Sequence, residues 1–407
     1  MIVGSTECLD VKYEYITNES ELRQFCDAIA AAPCIAYDTE FISEDRYRPE
    51  LCLVQVAAGD QLAIIDPLAI DHMEVFWNRV AADGHVTVVH AGREEFLFCY
   101  RSVGRGPSGW FDTQIASGLA SSDYPASYAT LVQRWLKRSL RKGETRTNWR
   151  HRPLNSRQLE YALLDVTYLE PLYRRIKDRL DALQRGAWLA AELATWQHDL
   201  QQEQAAKRWR RVSGQASMNR RQLAILRELW KWRDAESHAR NIPSRRLLRD
   251  DLMVELARRE SADPNQIRTI RGMDWRRLRG YIPAISECIA AAIALPDEQC
   301  PGRPCHRDRP AFNVLGQFLA TAVNSIARAA HVAPTMVGTV QDVRDLIAAH
   351  LGYKTESPPR LARGWRHEIV GQFIDQLLDG RMSIRITDPR SEQPLSFEPV
   401  PDPHDAD

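Results

Sequence analysis

Short apolar runs of the kind that form strands are confined to residues 33–89, and beyond about residue 112 the hydrophobic periodicity is almost wholly helical. This segregation constrains the fold more than any other feature, because a sheet must bury its faces and only helices remain to cover them. The runs are Cys34-Ile35-Ala36-Tyr37, Leu51-Cys52-Leu53-Val54-Gln55-Val56, Leu62-Ala63-Ile64-Ile65 and Val86-Thr87-Val88-Val89-His90, bounded by turn signals. Gly59-Asp60 predicts a hairpin between the second and third. The last run ends at Ala91-Gly92 and passes into a helical pattern from Glu94 to Tyr100. From Asp112 to about Leu183 the pattern is mostly helical, interrupted by a polar stretch from Arg141 to Asn155. The helix expected from Ser156 carries Leu159, Ala162, Leu163, Val166 and Leu169 on one side. Together these predict an α/β or α+β domain over residues 1–190.

Residues 191–217 are polar and rich in Gln and Arg, and read as a linker or exposed helix. Residues 218–297 read as a small helical bundle punctuated by Pro243, Pro264, Gly272 and Gly280. After a Pro-rich break from Pro296 to Pro310, residues 310–382 read as a second helical domain, and the Pro-rich, acidic tail over 391–407 is expected to be disordered. No solenoid repeat and no G-x-x-x-x-G-K-[ST] loop is present, which argues against an ATPase or helicase. No apolar run approaches the roughly 18 residues of a membrane span, and Met1 to Glu7 show no signal peptide. The eight cysteines are scattered without a C-x-x-C pair, which predicts reduced thiols in a cytoplasmic protein rather than a disulfide or zinc framework.

The formal net charge of zero, from 54 basic and 54 acidic side chains, hides a gradient. Residues 1–100 hold 6 Lys and Arg against 18 Asp and Glu, whereas residues 201–290 hold 20 against 11. An acidic beginning followed by a basic middle suggests a polyanionic partner. Of the basic residues 47 are Arg, which suits bidentate phosphate contacts; a GC-rich genome would give the same bias.

Asp38 and Glu40 lie two apart on the first strand, so their side chains share a face with Cα atoms roughly 6–7 Å apart. Two acids amid apolar residues need a cation or donors, unless the strand end is exposed and they are ordinary surface acids. Tyr161 and Asp165 lie four apart on a helix and share a face, either as a functional pair or as a core tyrosine with an aspartate at its edge. Glu94 and Glu95 fall in a first helical turn, where acids favour the helix dipole. His90 at a strand end reads first as a hydrogen-bonded structural residue.

In order and context these residues resemble the three motifs of DEDD-type 3′→5′ exonucleases: Asp38-x-Glu40, the turn His90-Ala91-Gly92-Arg93-Glu94-Glu95, and Tyr161-x-x-x-Asp165, whose tyrosine marks the DEDDy subgroup. Asp38-Thr39-Glu40-Phe41, Leu62 to Leu68, Phe111-Asp112-Thr113-Gln114, Arg146-Thr147-Asn148-Trp149 and Arg152-Pro153-Leu154 resemble counterparts in the bacterial ribonuclease D family. Asn219 to Leu295, with Ile242-Pro243 and Gly280-Tyr281, resembles the HRDC domain, and Leu361 to Arg366 resembles the end of a second such bundle.

The resemblance implies a ribonuclease H-like α/β exonuclease domain, a mixed sheet flanked by helices, followed by all-α HRDC-type bundles. It implies a 3′→5′ exoribonuclease that trims RNA 3′ ends such as those of tRNA precursors and releases nucleoside 5′-monophosphates. Two divalent ions, Mg²⁺ or Mn²⁺, would be held by Asp38, Glu40, Glu95 and Asp165. Asp38 would bridge both, Glu40 and Asp165 would complete one site, and Glu95 would support the other. Tyr161 would orient the attacking water, and Thr39, Phe41 and His90 would contact substrate, Phe41 by stacking on terminal bases. Arg245, Arg246, Arg249, Arg276 and Arg277 form the expected RNA-binding patch.

The chain departs from the family at Glu95, where an aspartate is usual. The added methylene, a reach of about 1.5 Å, predicts reduced activity or an altered metal preference. Two other readings stand beside this one: a catalytically weakened RNA-binding protein, and an exonuclease acting mainly on single-stranded DNA. With no apolar heptad stripe, a monomer is expected.

Overall fold

The computed structural model describes residues 12–140, 147–203, 208–215, 217–273, 275–302, 310–354 and 357–401. Its strands and helices begin β1 (Glu14–Ile16), α1 (Glu19–Ala28), β2 (Cys34–Ile42), β3 (Glu50–Ala58), β4 (Gln61–Ile65), α2 (Glu74–Val80), β5 (Val86–Val89), α3 (Arg93–Val103), β6 (Trp110–Asp112), α4 (Thr113–Ala120) and α5 (Tyr128–Leu131). They continue with α6 (Ser156–Thr167), α7 (Leu169–Ala182) and α8 (Gly186–Glu203). The six strands make one mixed sheet in the order β1-β4-β3-β2-β5-β6. β3 and β4 form the expected hairpin, closing at Ala58↔Gln61 with Gly59 at φ +59°. The pairs β1–β4, β2–β5 and β5–β6 are parallel.

Cys34, Ile35, Ala36 and Tyr37 are all buried, as an unbroken apolar run must be when both faces of a central strand are covered. Tyr37 packs edge-on against Phe76 and Trp77 of α2, with ring centroids 5.8 and 6.2 Å away. α6 begins at a capping box in which Asn155 and Gln158 accept each other's backbone N–H, and α7 packs on α4 and β5.

The contacts divide the chain into two units. The first comprises Met1–Glu40, Cys52–Ala194 and Cys305–Asp407; the second comprises Phe41–Leu51 and Thr195–Pro304. The second unit contains α9 (Arg220–Arg240), α10 (Ser244–Leu247), α11 (Asp250–Arg259), α12 (Pro264–Arg268), α13 (Arg276–Arg279) and α14 (Ile282–Ile293). Its core is built from Leu223, Leu226, Leu229, Met253, Leu256, Ile285 and Ile289. Within it, the Tyr47 hydroxyl donates to Asp234 Oδ1 at 2.8 Å, and the Tyr47 ring meets His238 edge-on.

The C-terminal helices are α15 (Asn313–Ala329), α16 (Pro334–Val337), α17 (Val340–His350), α18 (Gly364–Arg366) and α19 (Gln372–Leu378). The sequence suggests that 310–382 stand apart; by contacts they belong to the first unit. Buried arginines explain why. Arg185 Nη1 donates to Leu119 O at 2.6 Å and His331 O at 3.2 Å. Arg366 donates to Met336 O, Val337 O and the Glu192 carboxylate. Trp188 stacks on Trp365, ring centroids 5.7 Å apart.

Of the two readings of residues 191–217, the helix holds over 191–203, which continue α8. One other expectation needs correction. The tail expected to be disordered from 391 contains β8 (Leu395–Pro399), which pairs antiparallel with β7 (Met382–Ile386). Leu395 and Phe397 supply the strand alternation there, and Phe397 meets Phe373 of α19. Residues 402–407 lie outside the described residues.

Candidate active site

The register of β2 with β5 runs from Cys34↔Val86 to Ala36↔Val88, so Asp38-Thr39-Glu40 lie where β2 has passed its last pair with β5. Asp38 and Glu40 are half-buried rather than freely exposed. Burial, then the charge of Asp165, pushes the Asp38 carboxyl up. Glu40 is pushed up to about 9, by burial and then by Asp38, Asp165 and Glu95. Glu95 is raised by burial and by Asp38, and Asp165 by burial, against a lowering hydrogen bond from Tyr161.

The fold thus brings together all four sequence-predicted acids, from β2, α3 and α6. Among the described residues, no lysine or arginine is a leading cause of any of these shifts. The acids are not preassembled as a ligand shell: among the described residues no three His, Cys, Asp or Glu side chains form a group able to hold a metal ion. Hard oxygen donors carrying like charge are nevertheless the donor set that suits Mg²⁺ or Mn²⁺.

Glu95 reaches the cluster through a built turn. Asp112, at the end of β6, accepts from the N–H groups of Ala91 at 3.1 Å and Gly92 at 2.9 Å, and caps α4 through Gln114 N at 2.8 Å. These bonds hold Ala91 at φ +53° and set the start of α3. A Cβ on Gly92 would lie 2.4 Å from Val89 Cγ2, so only glycine fits. The sequence pairs His90-Ala91-Gly92 and Phe111-Asp112-Thr113 only as motifs; the structure makes Asp112 the clamp that joins them.

On α6, the Tyr161 hydroxyl donates to Asp165, and burial followed by the charges of Asp165 and Glu40 keeps the phenol protonated. Trp149 lies against the Tyr161 ring, centroids 6.2 Å apart. The segment bearing Trp149 is pinned by Arg152, whose Nε and Nη2 donate to Asp66 Oδ2 at 2.5 Å and Oδ1 at 2.7 Å. Arg152 also donates to Trp149 O and Cys52 O. Two motifs far apart in sequence therefore meet as a bidentate ion pair. Tyr128 is a neighbour that no local signal marks: its hydroxyl donates to Leu164 O at 3.2 Å, beside Asp165.

Thr39 is buried, and its hydroxyl donates to Glu95 Oε1 at 2.5 Å. His90 shares a hydrogen bond with Thr113 Oγ1 at 3.0 Å, and burial lowers its pKa to about 4, so it is neutral at pH 7 and supports the fold. Phe41 is half-buried at the end of β2.

In the second unit Arg245, Arg246, Arg249, Arg276 and Arg277 are all exposed. Arg249 pairs with Asp251 at 2.5 Å, and Arg245 lies 3.5 Å from Asp250. The sequence reading missed Trp275, which is 54 % exposed with the Arg277 guanidinium 5.0 Å from its ring centroid. The six described cysteines are free thiols, and no helix among the described residues is long and apolar enough to cross a membrane.

The raised acids give the first unit a pH signature. A carboxyl whose folded pKa lies above its unfolded value binds more protons when folded, so stability falls as pH rises from about 4.5 towards 9. Thermal melts without divalent ions are expected to show a lower Tm at pH 8.5 than at pH 6. A Mn²⁺ concentration a hundred times its Kd at pH 6 should add about 2.7 kcal/mol there, roughly 5–10 °C, and the same concentration should add more at pH 8.5. Equal gains at both pH values would contradict this.

A family model described as 3′-5′ exonuclease matches residues 13–181, and a model of the HRDC domain matches residues 222–289. A ribonuclease D from Zymomonas mobilis is 33% identical over 382 residues, covering 91% of this chain and 95% of its own length. A ribonuclease D from Sphingobium indicum is 31% identical over 387 residues, covering 92% and 97%. The crystal structure of Escherichia coli RNase D, described as an exoribonuclease involved in structured RNA processing, superposes with a TM-score of 0.79 at 26% identity. The match covers 91% of this chain and 99% of that one.

Proposed function

Since the chain belongs to the ribonuclease D family and is by that membership a 3′→5′ exoribonuclease, we propose that it trims the 3′ ends of structured RNA such as tRNA precursors, using the acids of β2, α3 and α6. The observation that carries this reading is the convergence of Asp38, Glu40, Glu95 and Asp165, whose charges raise one another. Asp38, Glu40 and Asp165 would hold one divalent ion, with Asp38 and Glu95 serving a second. Such ions supply the positive charge that activates water and stabilises the leaving 3′-oxygen of a phosphodiester.

The chain's own groups prepare that chemistry. Tyr161 stays a phenol, so it serves as a hydrogen-bond donor that orients water rather than as a base. Trp149 fixes the plane of its ring, and the Asp66–Arg152 pair fixes Trp149. Neutral His90 and Asp112 hold the turn that delivers Glu95. Glu95 in place of the family's aspartate is the reason to expect an altered metal preference, with Glu95→Asp gaining rate in Mg²⁺.

The test is incubation of RNA and DNA strands of one sequence, each labelled at the 3′ end, with Mg²⁺ or Mn²⁺. Release of nucleoside 5′-monophosphates from RNA supports the reading. Faster release from DNA would favour a DNA exonuclease, and binding without release a weakened RNA-binding protein.

The arginines of the second unit would neutralise phosphates while Trp275 offers a face to a base, a pairing suited to single strands. In the full chain, Arg276→Ala with Arg277→Ala should weaken RNA binding and lower the log–log salt slope by about 1–2. Trp275→Ala should weaken binding by about 1–3 kcal/mol without changing that slope. Slopes unchanged by the arginine pair would remove the patch from the RNA path. Residues 1–190 as the exonuclease domain, 218–297 as the HRDC domain, a monomeric state and a cytoplasmic location complete the proposal.

A further inference from the structure

We propose that Thr39 is the positioning residue for Glu95, its hydroxyl fixing the carboxylate and so restricting the additional rotatable bond that this chain carries there. The inference rests on the metal-dependent reading above. Thr39 and Glu95 are each 5 % exposed, and the Thr39 Oγ1–Glu95 Oε1 bond spans 2.5 Å. The bond runs from β2, beyond its last pair with β5, to the first turn of α3 beside Asp38.

The main chain of Glu95 is fixed without Thr39. The Tyr37 hydroxyl donates to Glu95 O at 3.0 Å, and Asp112 holds the turn that starts the helix. What these bonds leave free is the side chain, which in glutamate has one more rotatable bond than in aspartate. The Thr39 bond settles that freedom. A carboxylate has lone pairs on both oxygens, so engaging Oε1 leaves Oε2 available to an ion. Outer hydrogen bonds of this kind commonly set metal affinity by about 10–100-fold.

The experiment measures Mn²⁺ binding to the full chain by the paramagnetic resonance of the free ion, with circular dichroism as the check on folding. Thr39→Val keeps the shape and removes the hydroxyl; it is expected to weaken the weaker-binding ion about 10–100-fold. Thr39→Ser should restore binding, and Thr39→Val should add nothing in a Glu95→Ala background. Should Thr39→Val not fold, Thr39→Ala carries the same comparison. Wild-type affinity or tighter binding in the folded variant overturns the proposal. Asp38→Asn separates the two levels: if it binds Mn²⁺ as the wild type does, the metal reading has failed. If it loses binding while Thr39→Val keeps it, only the role of Thr39 has failed.

Discussion

Asp38→Asn is expected to reduce mononucleotide release from 3′-labelled RNA by about 10³-fold or more while leaving the fold intact. The magnitude follows from the place of Asp38 in the cluster: it raises Glu40 and Glu95, and is itself raised by Asp165. Losing even about 4 kcal/mol of charge stabilisation in the transition state corresponds to about three decades in rate. Removing one of several mutually repelling buried charges should raise the stability of the metal-free protein. The paired result is therefore a dead enzyme with an unchanged or higher Tm in chelator. A variant that is both inactive and unfolded would not count for the assignment, and one that retains more than about a tenth of the rate would sink it.

The second large effect lies away from the acids. Asp66→Ala is expected to cost about 3–5 kcal/mol of stability, because it leaves the Arg152 guanidinium without its bidentate partner. Tyr15 also loses its acceptor, at 2.9 Å from Asp66 Oδ2. Burial alone would raise Asp66, but the bonds from Arg152 and Tyr15 outweigh it and hold the carboxyl below its ordinary range. Its contribution is accordingly present above about pH 4 and lost on further acidification. Activity should fall further than stability alone explains, because Trp149 loses its anchor beside Tyr161. Urea melts combined with rates measured on the remaining folded protein would separate the two losses. A loss under about 1 kcal/mol would show that Arg152 is held well enough by Trp149 O and Cys52 O.

How much of this was legible in the sequence depends on range. Strand alternation put Asp38 and Glu40 on one face, and the helical repeat joined Tyr161 to Asp165, since both are relations within a few residues. The Gly59-Asp60 hairpin was readable for the same reason. What joins the motifs was not readable. Asp112 with Ala91 and Gly92, Arg152 with Asp66, and Thr39 with Glu95 are separated by 20 to 86 positions. Thr39 shows the limit: the resemblance made it a substrate contact, and nothing in its local sequence says that its hydroxyl meets Glu95 on α3. The C-terminal helices were legible as helices, but their attachment depends on Arg185 and Arg366. Side chains normally solvated give no apolar signal when buried.

The first unit draws its parts from both ends of the polypeptide, with Arg185 gripping carbonyl groups of residues 119, 330 and 331. During synthesis, residues 12–194 therefore emerge long before the segment that completes their packing. At roughly 5–20 residues per second, the intervening stretch takes several seconds or more to make. Over that interval the surfaces around Leu119 and Trp188 await their partners, and final closure is a long-range, high-contact-order step. A ribosome stalled before residue 330 would hold a nuclease whose acids are all present but whose C-terminal helices are missing.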